Sequence, residues 1–446
     1  MASTRNSSHP VDLTARTSDC LGQFVRPGDR LVAALSGGVD SVLLLYILNK
    51  LSPMRGFRLS ALHVNHGISP NADQWQAFCE GLCEALGIRL DVKRVVVERS
   101  GGESLEAAAR RARYDAFDEA EAEWLALAHH RDDQAETLLF NLLRGAGVAG
   151  AAAMPAMRAF CGRAELGVLR PLLDASREEI EACAHSESLS WIEDESNADI
   201  RYSRNYLRHR IFPLLQERFP GCKAVLARAA SHFAESEYLL EELAGIDAGK
   251  VLREGRIVAS ELAKMDSVRA RNLMRYVLRR AGLSLPENAR LHEIVRQVCH
   301  AESDRQLSFD LGDRVLRRYK GEVRLTPHGV AGADREWQGE DVLEWGSTML
   351  RFKATKGAGI SREKLACGCI RISPRQGGER FRPDGRRPRR ELKKLLQEHA
   401  VPPWERDRMP LLWCGDELVW VPGVGIDCAW QCRDGEAGLL PAWEQA

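Results

Sequence analysis

Six consecutive residues, Ser36-Gly37-Gly38-Val39-Asp40-Ser41, have the makings of an anion cradle. Gly37 and Gly38 let backbone N–H groups come close to a ligand, and the hydroxyls of Ser36 and Ser41 add donors to phosphate oxygens. Asp40 alone would repel a phosphate. A divalent cation between them removes the conflict, since Mg2+ takes hard oxygen ligands, and Asp40 is its candidate ligand. No G-x-x-x-x-G-K-[ST] occurs in the chain, so no lysine of that kind reaches for a γ-phosphate. A second set stands about ninety residues on: His129-His130, then Asp132, Asp133 and Glu136. On a helix, spacings of three and four put Glu136 beside both aspartates. One acid in a first turn is an ordinary dipole partner worth well under about 1 kcal/mol. Three of them beside a phosphate loop suit a cation, either a metal or an ammonium group.

Elements must bring these sets together. An apolar run at 31–35 precedes the glycine segment and another at 42–48 follows it, which predicts strand, turn and buried helix. Their junction aims a helix N-terminus at one spot. Strands at 59–66, 90–97 and 124–130 alternate with helices at 73–86, 103–121 and 132–144. Short, nearly all-apolar strands in repeated β-α order predict a doubly wound α/β domain with a parallel sheet. Ligands lie beyond the carboxyl ends of such strands, where both polar sets fall. Helices at 224–244, 263–281 and 287–301 and short strands over 306–325 predict a second, mainly helical domain. A linker at 329–341, a basic helix at 390–399 and a hairpin at Gly415-Asp416 predict a small α+β C-terminal domain. The expected boundaries are 1–215, 216–328 and 345–446.

The 446 residues carry 63 basic and 63 acidic side chains, which taken alone argues against a nucleic-acid binder. Local runs say otherwise. Arg380 to Lys394 holds eight basic residues against Asp384 and Glu391, and Arg201 to Arg218 holds five arginines. Patches rather than net charge decide phosphate binding. The first twenty residues carry no apolar signal segment, and no run is long enough to span a membrane. Twelve cysteines form no C-x-x-C pair, which predicts reduced thiols in a cytoplasmic protein without a membrane partner.

Ser-Gly-Gly-x-Asp-Ser after a strand resembles the PP-loop of the N-type ATP pyrophosphatases, which split ATP between its α- and β-phosphates. Further segments narrow the resemblance: 63–73 (HVNHGISPNAD), 105–114 (LEAAARRARY), 128–137 (AHHRDDQAET), 144–147, 194–197 with 202–208 (YSRNYLR), 377–383 (GGERFRP), 393–398 and 402–406. Together they resemble the tRNA(Ile)-lysidine synthetase family from about residue 28 to 430, with Glu195 at a loop position where proline is expected.

The resemblance implies adenylation of the C2 carbonyl oxygen of the wobble cytidine in a tRNA(Ile) with a CAU anticodon. Attack by the ε-amine of free lysine then gives lysidine, AMP and pyrophosphate. ATP is the co-substrate and Mg2+ its companion. Ser36, Gly37, Gly38, Val39, Asp40 and Ser41 become the nucleotide site. Asp133 and Glu136 are expected to hold the lysine ammonium or magnesium, one of them taking its proton, with Asp132 assisting. Arg110 and Arg113 share a helix face as phosphate or substrate contacts, Arg113 being the catalytic candidate. His63 and His66 lie near the adenine, and His129 and His130 form the cleft wall. Arg201, Arg204 and Arg208 are expected on one helical face, with Arg204 and Arg208 favoured for RNA phosphate. Arg386, Arg387, Arg389 and Arg390 are expected to grip the tRNA body, with Phe381 and Trp404 stacking on bases. No protein partner is implied beyond, at most, a homodimer. A PP-loop tRNA thiolase is the alternative, and it needs a reactive cysteine that none of the cleft motifs supplies.

Overall fold

The computed structural model describes residues 12–99, 101–102, 104–160, 163–301 and 306–444. The start of the helix expected from Glu103, the N-terminal stretch to residue 11 and Cys161 lie outside the described residues. The chain divides into two compact units, 1–240 and 241–446.

In the first unit the order is α1 (Leu13–Phe24), β1 (Arg30–Ala34), α2 (Val39–Arg55), β2 (Arg58–Asn65), α3 (Ala72–Leu86), β3 (Arg89–Arg94), α4 (Leu105–Asp118), β4 (Trp124–Ala126) and α5 (Arg131–Leu143). Then come α6 (Val148–Ala151), β5 (Met157–Phe160), β6 (Arg163–Leu169), α7 (Arg177–Ser186), α8 (Ser203–Tyr206), α9 (Phe212–Arg218) and α10 (Cys222–Val251), whose residues from Glu241 on are counted in the second unit. The sheet order is β3-β2-β1-β4-β6-β5, with only β5 antiparallel. Strand order reverses between β1 and β4. The chain runs outward from β1 to β2 and β3, then returns past β1 to β4. Such a switch point opens a crevice at the strand carboxyl ends, and the two polar sets leave β1 and β4 on either side of it.

The expected β-α alternation is the observed one, and the expected fold class holds. α2 is buried nearly all round, from Val39 through Leu51, because it packs against the sheet and also against α7. β5 and β6 form an antiparallel pair that periodicity did not predict. The segment between α7 and α9 is also irregular. A π-helical turn, Leu207–Ile211, follows the single turn of α8, and Arg201 precedes the helix. The arginines at 201, 204 and 208 therefore do not share one regular helical face.

The second unit holds three separate cores. Helices Ser267–Arg280 and Asn288–His300 close one of them over an antiparallel sheet, through Leu273, Met274, Ile294, Val298, Leu316 and Val323. Another is built on antiparallel strands with Trp345, Phe352, Ile372, Leu412 and Val419 inside. The expected hairpin at Gly415 is there, between Leu411–Cys414 and Glu417–Val421. The expected linker is partly ordered: Arg335–Glu336 pairs with Ile370–Ser373, and Gly332 lies against the Trp345 ring. Phe381 is fully buried and Trp404 nearly so. Neither is available to stack on a base, because Phe381 packs on Leu392, Leu396 and Met409 in the core below. No helix among the described residues is long and apolar enough to cross a membrane.

Candidate active site

The turn after β1 is tight because Gly37 adopts φ 90°, a left-handed conformation that side chains disfavour. A Cβ at Gly37 would meet Cδ1 of Ile192 at 2.7 Å, and the Ile192 amide donates to the Gly37 carbonyl at 2.9 Å. Gly38 then caps α2. The two hydroxyls divide their work. Ser41 is buried and donates its one proton to the Gly38 carbonyl at 2.9 Å, while accepting from the Ser36 amide at 3.2 Å. Ser36 is exposed, with its Oγ 3.1 Å from that of Ser41. Ser41 thus shapes the turn, and Ser36 is the hydroxyl open to a ligand. Gly37→Ala should lower stability by about 1–3 kcal/mol through backbone strain and the Ile192 clash. It should also weaken nucleotide binding, measured by thermal unfolding and ATP titration.

Asp40 sits in the first turn of α2. Its Oδ2 accepts from Arg177 at 2.6 Å, whereas its Oδ1 is buried without a hydrogen-bond partner, 3.7 Å from His130 Nε2. Burial raises the Asp40 pKa against the pull of His130 and Arg177. His130 is the N-cap of α5 and forms a capping box with Asp133: the His130 amide donates to Asp133 Oδ2 at 3.0 Å, and the Asp133 amide to the imidazole at 3.4 Å. One residue thereby links the two halves of the crevice.

Burial also pushes the Asp133 carboxyl upward, but His130, His129, the capping amide and Arg208 outweigh it and leave the group below its usual range. Glu136 is fully buried and takes both of its hydrogen bonds from Arg208, Nε to Oε1 at 2.7 Å and Nη2 to Oε2 at 2.8 Å. Burial still raises its pKa. Arg208 also reaches Asp133 Oδ1 at 3.4 Å. The trio expected from sequence is therefore split. Asp133 and Glu136 face the crevice with Arg208 between them, whereas Asp132 is buried against Lys223 of α10 at 2.5 Å. Arg208 is a partner of these acids, where RNA phosphate had been expected. Arg201 is tied to Asp199 at 2.7 Å.

Arg113 lines the other wall, its Nε 3.4 Å from His66 Nε2, and desolvation with nearby Arg110 lowers its pKa. His63 is buried with Nδ1 2.9 Å from the Leu35 carbonyl. Burial and Arg113 push His66 down to about 4, and burial brings His129 to about 4 despite Asp133, so both rings are neutral at pH 7. Arg110 lies over the Tyr114 ring at 5.1 Å. Arg204 is partly exposed and contributes to the positive field at His129.

Sequence reasoning missed Arg177 and Lys223, which partner Asp40 and Asp132. Ser176 and Glu179 form a capping box that fixes the start of α7 at Arg177, and that S-x-x-E spacing was a readable signal. Nothing in the sequence pairs Lys223 with Asp132 across 91 positions.

The basic C-terminal run is not one uniform patch. Arg389 is 3.4 Å from the buried Asp427, and Arg390 is held by Glu398. Arg386 and Arg387 are exposed on a loop, where the Arg386 amide donates to Asp384 Oδ1 at 2.9 Å and the Arg387 side chain lies 3.8 Å from Asp384 and within the field of Glu398.

A parallel sheet with its switch point flanked by a lysine-free glycine turn and by acids on a facing helix defines a PP-loop catalytic domain, and the family model for the PP-loop domain matches residues 12–215. The models described as TilS substrate binding domain and TilS substrate C-terminal domain match 259–324 and 370–443. The tRNA(Ile)-lysidine synthase of Nitrosomonas europaea is 44% identical, covering 99% of this chain and 98% of its own. That of Azoarcus sp. is 42% identical over 95% and 93%, and that of Coxiella burnetii 36% over 91% and 91%. The chain belongs to the tRNA(Ile)-lysidine synthase family.

Proposed function

We propose that this protein uses ATP to join free lysine to C2 of the wobble cytidine of a tRNA(Ile) with a CAU anticodon. The observation that carries this reading is the charge network running from the glycine turn to the acids: Asp40, His130, Asp133, Arg208 and Glu136. Near full-length similarity to lysidine synthases supports it. The cytidine O2 attacks the α-phosphorus and the bond to the bridging oxygen breaks, releasing pyrophosphate. The lysine ε-amine then attacks C2, the C2–O bond breaks, and AMP leaves. The first step turns a poor leaving group into a good one.

The turn amides, Ser36 and the N-terminus of α2 bind the phosphates, where preorganised donors meet developing charge. The orphaned Oδ1 of Asp40 fits a magnesium ion that draws its remaining ligands from phosphate oxygens and water, as this ion usually does. Bound there, it would neutralise charge on the phosphates. Free lysine carries both charge signs, and so does the cluster opposite the turn. Asp133, held ionised, suits the ammonium, and Arg208 suits the α-carboxylate. The raised pKa of Glu136 makes it the better proton acceptor of the two acids. Arg113 faces the reacting centre from the other wall.

The three functional regions keep the proposed bounds 1–215, 216–328 and 345–446, with the latter two binding tRNA. Within the C-terminal run, charge reversal at Arg386 and Arg387 should weaken tRNA binding and flatten its salt dependence. Reversal at Arg389 or Arg390 should cost stability first. Salt-titrated binding alongside thermal unfolding separates the two effects.

Thiolation finds no support in the site. Cys79, beneath the turn, is buried with its thiol pushed up to about 12, which makes it a poor nucleophile. The deciding experiment is mass spectrometry of the anticodon nucleotide after incubation with ATP and lysine. A lysyl adduct at the wobble position is expected; an unmodified or thiolated cytidine would overturn the reading.

A further inference from the structure

Four arginines crowd the edge of the crevice away from the glycine turn. Arg110 and Arg158 each donate an Nη2 proton to the Tyr114 hydroxyl at 3.4 Å, and their guanidiniums lie 5.1 and 5.7 Å from its ring centre. Arg170, only 3% exposed just past the end of β6, donates from Nε to His129 Nδ1 at 3.3 Å and from Nη1 to the Pro155 carbonyl at 2.7 Å. Arg113 adjoins Arg110 on α4. All of these hydrogen-bond partners are neutral. Asp194 acts electrostatically on Arg113, and Asp133 on His129.

Buried cations are costly unless paired. Of the four, only Arg170 is buried, and burial with Arg158 brings it down to about 10; Arg158 is half-buried, and Arg110 and Arg113 are exposed at the crevice edge. Arg158 Nε is in addition buried with no hydrogen-bond partner. Three guanidiniums around one phenol concentrate positive charge in a geometry that suits an anion.

Position decides which anion. The glycine turn leaves β1, His129 leaves β4, Arg170 leaves β6, and Arg158 lies on β5. Neighbouring strands are about 4.8 Å apart, so Arg170 and Arg158 stand roughly 10–15 Å across the sheet from the turn. A nucleotide whose phosphates rest on the turn must meet the reacting base near β4. The base's own backbone then lies on the far side, over β6 and β5.

We propose that Arg158, together with Arg170 and Arg110 around Tyr114, binds a backbone phosphate of the RNA substrate beside the reacting nucleotide. This rests on the RNA reading above. Arg170, braced by His129 and Pro155, positions the site, and Arg158 makes the contact.

The test compares Arg158→Ala and Arg158→Lys with the parent protein. Readouts are the KM values for tRNA and for ATP in tRNA-dependent ATP–pyrophosphate exchange, inhibition by pyrophosphate, and tRNA binding against salt. Loss of a charged hydrogen bond predicts a KM for tRNA raised about 10- to 100-fold in R158A. The salt slope should fall by about 0.7–0.9, while KM for ATP stays within about twofold. R158K, which keeps the charge but loses the fork, should lie between. If thermal unfolding shows that R158A is not folded, R158K alone carries the comparison, with a rise of several-fold expected. An unchanged tRNA KM and slope overturns the proposal. So does a weakened response to ATP or pyrophosphate with tRNA unaffected, which would assign the site to the leaving group. If the parent protein itself makes no lysyl adduct, the function reading falls and takes this inference with it. If the parent is active and R158A indistinguishable from it, only this inference falls.

Discussion

Asp40→Asn is expected to cut tRNA-dependent ATP–pyrophosphate exchange by about 10²–10³-fold while leaving the unfolding temperature unchanged or a few degrees higher. Both effects come from one atom. Asp40 Oδ1 is buried and unpartnered in the first turn of α2, directly after the glycine turn proposed to bind the phosphates. Without a ligand it is a desolvated anion whose cost Arg177 and His130 only partly offset. A carboxyl whose folded pKa is raised stabilises the fold below its unfolded pKa, and that contribution is lost as pH rises through the folded value. Once the folded carboxyl is ionised that contribution is gone, and asparagine removes the penalty. The stability gap between variant and parent should close as pH falls below the ordinary aspartate value of about 3.9. Calorimetry across pH, paired with the exchange assay, measures both. A variant that is inactive and also several degrees less stable would make Asp40 a structural member of the Arg177 cluster instead.

This trade between stability and activity explains which parts of the site the sequence disclosed. The glycine turn was legible because its requirements are local: a buried strand, φ 90° at Gly37 and a buried helix are written in consecutive residues. The β-α repeat was legible for the same reason, since each apolar run reports its own burial. Facing of the turn and the acids followed from topology alone. What stayed hidden is pairwise and long-range. Arg177 reaches Asp40 across 137 positions and Arg208 reaches Glu136 across 72. The spacing of 201, 204 and 208 pointed to a regular helix, but the backbone inserts a π-turn at Leu207–Ile211, which swings Arg208 onto the acids. The charge run at 380–394 looked like a single surface. Asp427 and Glu398, distant in sequence or on the next turns, claim two of its arginines. Phe381 and Trp404 show the converse: aromatic residues beside a basic run are as well explained by a core as by stacking.

The Glu136–Arg208 pair should separate the two halves of the reaction. Glu136→Ala and Arg208→Ala are each expected to cost about 2–4 kcal/mol of stability, because removing one partner strands the other. The estimate stays below the fully buried range because the Arg208 side chain keeps 35% of its surface in solvent, against 2% for Glu136. The double variant should lose less than the sum, giving a coupling of about 1–3 kcal/mol in a denaturant-unfolding cycle. Function should divide more sharply. If adenylation draws on the turn, Asp40 and the arginine wall, as proposed above, ATP–pyrophosphate exchange should fall by less than about tenfold in Glu136→Gln, which keeps the side-chain shape. Lysine transfer needs both the ammonium site and a proton acceptor, so incorporation of labelled lysine should fall by about 10²–10⁴-fold, the range of a general base. Asp133→Asn should instead raise the lysine KM, since the lowered pKa of Asp133 fits it to hold a cation and not to take its proton. Equal losses in exchange and incorporation would place Glu136 in the nucleotide half of the crevice. Unimpaired lysine attack on a preformed adenylate in both variants would leave the amine to be deprotonated by solvent, with the bidentate pair serving only to hold Arg208 in place.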